Sequence, residues 1–266
     1  MQLYLEDHLK KYFSAEKPLF DQVMALRGES FRHQDGRLTQ RVVIGDKPYF
    51  IKQHSGVGWR EIFKNIIQLR WPIISAKNEW RAIQKLQSLG VAAPKIAGFG
   101  KRGWNPARLQ SFILMEELTP IISLEDLCRD WPSTQPQFIF KQALIKAVAN
   151  AARVLHQNGI NHRDFYICHF LLETDSKSQV SPLYLIDLHR AQIRSKTPKR
   201  WVVKDLAALF FSAANIGLTN NDLYRFMKIY SNKSLYDIFK QERTFWEKVK
   251  LRGTTYCDRT KRQRAK

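Results

Sequence analysis

The stretch from Phe138 to Asp187 limits the possible folds more than any other part of the chain. Residues 138–158 place Leu144, Val148, Ala152 and Leu155 at helical spacing and stop at Gly159, a residue suited to the left-handed turn that closes a helix. The polar run Asn161-His162-Arg163-Asp164-Phe165-Tyr166-Ile167-Cys168-His169 follows at once, and Tyr184-Leu185-Ile186-Asp187 then reads as an apolar strand ending in a carboxylate. A long helix, a charged loop and a strand-terminal acid in this order imply a loop held between rigid elements.

Upstream the pattern is β-rich. A short helix is predicted over 18–27, with Pro18 in its first turn, Phe20, Val23, Met24 and Arg27 at helical spacing and Gly28 as its stop. Asp35-Gly36 signals a hairpin, Leu38 to Ile44 a strand, residues 45–48 a turn, and Tyr49 to Lys52 a second strand. An amphipathic helix from Trp59 to Arg70 ends at Pro72, another spans about 76–89, and Ser111 to Met115 reads as a buried strand. From Trp201 onward the pattern is mostly helical. The expectation is an α+β, two-lobed, protein-kinase-like fold, with an N-terminal arm and β-rich nucleotide-binding lobe over 1–115 and a mostly helical catalytic lobe over 116–266.

Composition narrows the class. At 44% hydrophobic and 26% charged, the 266 residues resemble an ordinary globular protein, which excludes intrinsic disorder. No apolar run reaches the roughly 20 residues of a membrane span, and the first residues alternate charged with apolar side chains where a signal sequence would be apolar, so a cytoplasmic location is expected. Cys128, Cys168 and Cys257 are too scattered for a metal or disulfide framework, and Cys168 reads as a small buried hydrophobe. Trp71 and Trp80 read as core. The net charge of +20 calls for anionic company. The basic C-terminus, from Lys248 to Lys266, is either a solvated tail or a binding arm. The Trp59 helix reads first as a helix packed on the core and, alternatively, as one that lies on an anionic interface.

Phosphoryl transfer requires a cation on the nucleotide phosphates, an acid holding that cation, a metal-binding carboxylate and a base for the attacking hydroxyl. Candidates for all of these occur in order. Lys52 ends a strand. Glu79 shares a helical face with Ala82, Ile83 and Leu86, so its carboxylate lies along a buried stripe and needs a partner such as Lys52. His162-Arg163-Asp164 matches the start of the protein-kinase catalytic loop, which makes Asp164 the candidate base with Arg163 beside it. Asp187 stands where a Mg²⁺-binding carboxylate would. Each signal is weak alone, and their order carries the reading.

The match to protein kinases has gaps. His169 occupies the position of a second metal-binding Asn, Asp187-Leu188-His189 replaces Asp-Phe-Gly, and no Gly-x-Gly-x-x-Gly precedes Lys52. Only the hairpin around Gln34-Asp35-Gly36-Arg37 stands there. Gly36 in that hairpin and Glu116 after the Ser111 strand complete the candidate nucleotide contacts. Mg²⁺ prefers oxygen ligands, so His169 is either a metal ligand or a group that orients Asp164. Gly56 and Gly58 read as turn residues, and His162 as a shaper of the loop. Asp205 is either an anchor for the catalytic loop or an N-terminal helix acid.

NHRDFYICHFLL, with YFIKQHSGVGW, EIFKN and NEWRAIQKL, closely resembles the lipopolysaccharide core heptose(I) kinases, the WaaP or RfaP family of Gram-negative bacteria. The resemblance runs from about Gly28 to Phe211. It implies ATP-dependent phosphorylation of the first heptose of the inner core, with ATP and Mg²⁺ as cofactors, Asp164 as proton acceptor, and peripheral residence on the cytoplasmic face of the inner membrane. His169 and the missing glycine-rich loop become family features. The expected partners are a lipid-anchored anionic core saccharide, the anionic inner-membrane surface and an acidic protein. A kinase for proteins or soluble small molecules is the same-fold alternative. A nucleic-acid-binding module lacks zinc spacing or an RNA-binding aromatic signature, so no nucleic acid is expected.

Overall fold

The computed structural model describes every residue except 35, 68–72, 175–181 and 265–266. The chain divides into two compact units, residues 1–85 with 94–118, and residues 86–93 with 119–266.

The first unit contains β1 (Gln2–Leu5), α1 (Asp7–Lys10), α2 (Leu19–Met24), β2 (Glu29–Gln34), β3 (Arg37–Ile44), β4 (Lys47–Ser55), α3 (Gly58–Ile67), the start of α4 (Lys77–Ser88), β5 (Ile96–Arg102) and β6 (Gln110–Glu116). Its strands form one antiparallel sheet in the order β1-β5-β6-β4-β3-β2. Alternation along β4 sends Tyr49 and Ile51 to one face, where they join Val42, Phe112, Leu114 and the α2 residues Phe20 and Val23 in the core. Burying each such side chain contributes about 1.5–3 kcal/mol. Lys52 takes the opposite face, directly across from Thr39 and Ile113.

The second unit contains β7 (Ile121–Ser123), α5 (Leu124–Leu127), α6 (Phe138–Gln157), β8 (Ile160–Asn161), β9 (Phe170–Glu173), β10 (Leu183–Leu185), β11 (Gln192–Ile193), α7 (Lys199–Ser212), α8 (Asn220–Ser231), α9 (Leu235–Gln241) and α10 (Arg243–Arg264). Its strands are short, forming a β10-β9-β7 sheet and a β11-β8 pair. Helices dominate. The α+β class with a β-rich first part and a helical second part is as expected, and the element order is that of a protein-kinase-like fold.

Several local expectations change. Pro48 belongs to β4, opposite Val43, because the turn is shorter than residues 45–48. The strand before Asp187 ends at Leu185, and Asp187 itself adopts a left-handed conformation with φ 59°. The basic C-terminus is helical through Arg264. Helix α10 packs on α7, where a Cβ at Gly253 would meet the Phe210 ring and the Ala207 carbonyl, while the basic side chains of Lys248, Lys250, Arg252, Arg259 and Arg262 are exposed. The stripe on α3 faces outward: Ile62 is buried, but Trp59, Phe63, Ile66 and Ile67 are 51%, 56%, 53% and 81% exposed. A helix packed on the core is therefore the wrong reading for most of that face. Cys168 is only half-buried, and Trp80 stacks on Phe99 at 4.4 Å. Asp35, Arg70, Trp71 and Pro72 lie outside the described residues.

Candidate active site

In the first unit, Lys52 Nζ donates to Glu79 Oε1 at 2.6 Å. The Glu79 side chain is 3% exposed and that of Lys52 22%. The pair forms because β4 presents Lys52 away from the core while α4 turns Glu79 onto the same buried face as Ala82, Ile83 and Leu86. Glu79 Oε2 is buried without a hydrogen-bond partner, so the carboxylate holds its lysine through one oxygen.

Gly36 sits at the β2–β3 turn with φ 71°, its carbonyl accepting from Ser55 N at 2.8 Å. A Cβ there would meet the Gly56 carbonyl, so the two turns pack backbone to backbone. Glu116 is not brought to the Lys52–Glu79 pair. It lies three residues beyond Ile113 on β6, on the opposite face from Lys52, and receives Lys95 Nζ at 2.6 Å.

In the second unit, the loop after α6 is held from α7. Asp205 is fully buried, and its carboxylate accepts from the backbone N–H of His162 at 2.6 Å and of Arg163 at 2.9 Å. Asp205 is thus the loop anchor. The bonds fix Arg163 at φ 76°, a conformation that disfavours a side chain and needs such support. His162 donates from Nε2 to the Ile186 carbonyl at 2.9 Å, tying the loop to the segment that carries Asp187. Burial lowers the His162 pKa below 6.5, ahead of the opposing charge of Asp205.

Asp164 receives Arg190 Nη1 on both oxygens, at 2.8 and 3.1 Å. His169 donates from Nδ1 to the Asp164 carbonyl at 2.7 Å. In the neutral ring this leaves a lone pair on Nε2, which lies 3.7 Å from Asp187 Oδ2. A lone pair facing a carboxylate at that separation suits a proton or a cation between them. The other Asp187 oxygen is hydrogen-bonded to His189 Nδ1. Among the described residues no group of three His, Cys, Asp or Glu is disposed to hold a metal ion. Mg²⁺ is commonly bound by one or two carboxylates together with substrate phosphates, so this donor set fits an ion arriving with a nucleotide.

The structure therefore gathers Asp164, His169 and Asp187, and separately Lys52 and Glu79. Arg163 lies over the Trp201 ring, 5.3 Å from its centroid. Arg190, His189 and Trp201 were not recognised from the sequence. The local signal for the first two is their place directly after Asp187, whereas Trp201 is revealed only by its contacts.

A family model described as lipopolysaccharide kinase (Kdo/WaaP) matches residues 21–230. The chain belongs to that family. Among characterised members, it is similar to the lipopolysaccharide core heptose(I) kinase WaaP of Escherichia coli, at 45% identity over 93% of this chain and 94% of the relative. Similarity to the same kinase of Pseudomonas aeruginosa is also 45%, over 91% of each chain. A solved structure of WaaP in complex with acyl carrier protein is 40% identical, with a TM-score of 0.82, covering 96% of this chain and 99% of that one. As a Kdo/WaaP-family member the chain is an ATP-dependent kinase. The gathered acid, histidine and cationic groups are chemistry that such a kinase requires.

Proposed function

We propose that this protein phosphorylates the first heptose of the lipopolysaccharide inner core. The observation that carries the reading is the match to heptose(I) kinases across more than nine-tenths of the chain. Asp164 serves as base: its carboxylate, held by Arg190, accepts the proton of the attacking sugar hydroxyl. Arg163 shapes the backbone on which Asp164 sits. Lys52, held by Glu79, contacts the nucleotide phosphates, with Gly36 contributing backbone at the hairpin. Glu116, occupied by Lys95, contributes through its main chain alone. Asp187 would hold Mg²⁺, with His169 Nε2 facing the same space; when bound, the ion neutralises phosphate charge. Residues 1–115 are assigned to nucleotide binding and 116–266 to catalysis.

An acidic partner of the acyl-carrier type is part of this reading. The +20 charge suits such a partner, the related WaaP structure contains one, and the second unit carries an open, mostly apolar pocket of about 760 Å³ lined by residues including Leu124, Leu144, Val148, Leu206, Leu223 and Trp246. Peripheral residence on the cytoplasmic face of the inner membrane is also inferred. No described helix is long and apolar enough to cross a membrane, and the outward Trp59–Phe63–Ile66–Ile67 face provides apolar area for an interface.

The deciding experiment incubates purified protein with ATP, Mg²⁺ and heptose-containing core acceptor, read by mass spectrometry with fragmentation. Phosphate on the first heptose is the expected product. Transfer only to proteins or soluble small molecules would replace this reading with the broader kinase one.

A further inference from the structure

Next to Asp164 there is more positive charge than the site neutralises. Arg190 pairs with Asp164, but no described ion pair joins Arg163, Lys204 or Arg252 to a carboxylate. These cations are not loosely scattered. Arg163 and Lys204 both lie over the Trp201 ring, 5.3 and 5.1 Å from its centroid, and both are half-buried. Arg252 comes from α10, where the close approach at Gly253 sets that helix against α7. Its Nε donates to Tyr256 Oη at 2.9 Å, and the Tyr256 ring packs on Phe211 of α7 at 6.0 Å.

Two of the polar atoms here are donors lacking acceptors. Arg163 Nε and Trp201 Nε1 are both buried without a hydrogen-bond partner. Leaving such donors unmet is costly, as is holding the half-buried Arg163 and Lys204 close together, with the exposed Arg252 at their edge. Burial lowers the Lys204 pKa, and the nearby charges of Arg163, Arg190 and Arg252 lower it further. Arg163 is lowered in the same way by burial and by Arg190. Lysines scattered on the surface of a basic protein would lack both the shared aromatic platform and the unmet buried donors. An oxyanion among these groups would satisfy the donors and relieve the repulsion.

We propose that Arg163, Lys204 and Arg252, with the indole N–H of Trp201, form an anion subsite beside Asp164 that receives a carboxylate or phosphate carried by the acceptor saccharide. The proposal rests on the kinase reading above and deepens it by naming the groups that select the acceptor. The subsite lets the enzyme prefer a hydroxyl flanked by an anionic substituent over the same hydroxyl on a neutral sugar. Arg190 stays with Asp164 and is not part of it.

The test measures binding of soluble, deacylated core oligosaccharide to the full-length protein by calorimetry without ATP. Three forms of the ligand are compared: intact, carboxyl-reduced and phosphatase-treated. Removing the recognised group should weaken wild-type binding about tenfold or more, and the form that loses affinity identifies the anion as carboxylate or phosphate. Lys204→Gln and Arg252→Gln should weaken binding of the intact ligand to a similar degree and become indifferent to that group, while Lys204→Arg should retain the preference. Equal wild-type affinity for all three forms would overturn the subsite, and that comparison needs no variant to fold. Variants that keep the full anion preference would overturn it as well. A parallel phosphorylation assay separates the two readings: anion-dependent binding without phosphate transfer removes the kinase reading alone, and transfer without anion preference removes the subsite alone.

Discussion

His169 Nδ1 donates to the main-chain carbonyl of Asp164 at 2.7 Å, so the proposed base and the residue five places later are joined through the backbone. The other ring nitrogen, Nε2, turns towards Asp187. His169→Asn should retain more turnover than His169→Ala, because an amide can still donate to the Asp164 carbonyl. Both variants should need more Mg²⁺ for half-maximal rate. Equal turnover of the two would remove the orienting bond from the account, and unchanged Mg²⁺ dependence would remove the role of Nε2.

Asp164→Ala should lower kcat by about 10²–10⁴ with little change in thermal melting, in line with loss of a general base. Asp187→Asn should raise the Mg²⁺ requirement sharply. Retention of more than about a tenth of the rate by Asp164→Ala would exclude it as the base. Wild-type metal dependence in Asp187→Asn would leave that residue a purely structural acid.

Lys52→Ala and Glu79→Ala should act on one interaction. Removing either partner leaves the other poorly matched to its surroundings, and for fully buried pairs the cost is about 3–5 kcal/mol. Because Lys52 is 22% exposed, the lower end is expected. The double variant should lose much less activity and stability than the sum of the singles. Simple additivity in kcat/KM and in denaturant midpoint would show that the two side chains work independently.

The buried His162 should make stability fall in mild acid. Its folded pKa lies below 6.5, so below about pH 6.5 the unfolded chain takes up a proton that the folded loop resists. Stability attributable to this residue is complete above that pH and declines as pH falls towards the lowered value. His162→Gln should flatten this limb in denaturant titrations between about pH 5 and 7. An unchanged limb would assign the acid sensitivity to other groups.

Membrane association should depend on both the α3 face and the basic end of the chain. Trp59→Ser with Ile67→Asp should reduce co-sedimentation with anionic vesicles, since it removes exposed apolar contact. Reversing Arg259, Lys261, Arg262 and Arg264 to Glu should make residual binding insensitive to salt, each basic residue contributing about 1 kcal/mol near an anionic leaflet. Activity on a delipidated acceptor should persist in both. Vesicle binding indifferent to either set would end the peripheral-membrane account.

Much of the site was legible because its chemistry is written in short local patterns. The alternation that predicts the strand around Lys52 and the helical spacing that turns Glu79 inward need few neighbours to be read. Helix α6 was legible from its apolar spacing and Gly159. By contrast, β5 was not recognised. Its Gly98 and Gly100 weaken the strand signal, yet they are there because Leu5 and Phe112 pack where a Cβ would stand. The stripe on α3 announced a helix without revealing whether the stripe was covered. Arg190 reaches Asp164 from the turn that follows a left-handed Asp187, and no spacing rule anticipates that route.

The buried carboxylate of Asp205 gives the catalytic loop a lifetime set elsewhere. The amides of His162 and Arg163 end on a side chain of α7, so opening that helix frees the loop even if every bond within the loop survives. Their hydrogen exchange should follow the opening of α7, making the helix and the loop one cooperative unit. A mutation that frays α7 far from the reacting atoms would then reach the chemistry as a shorter dwell time of Asp164 in its working position.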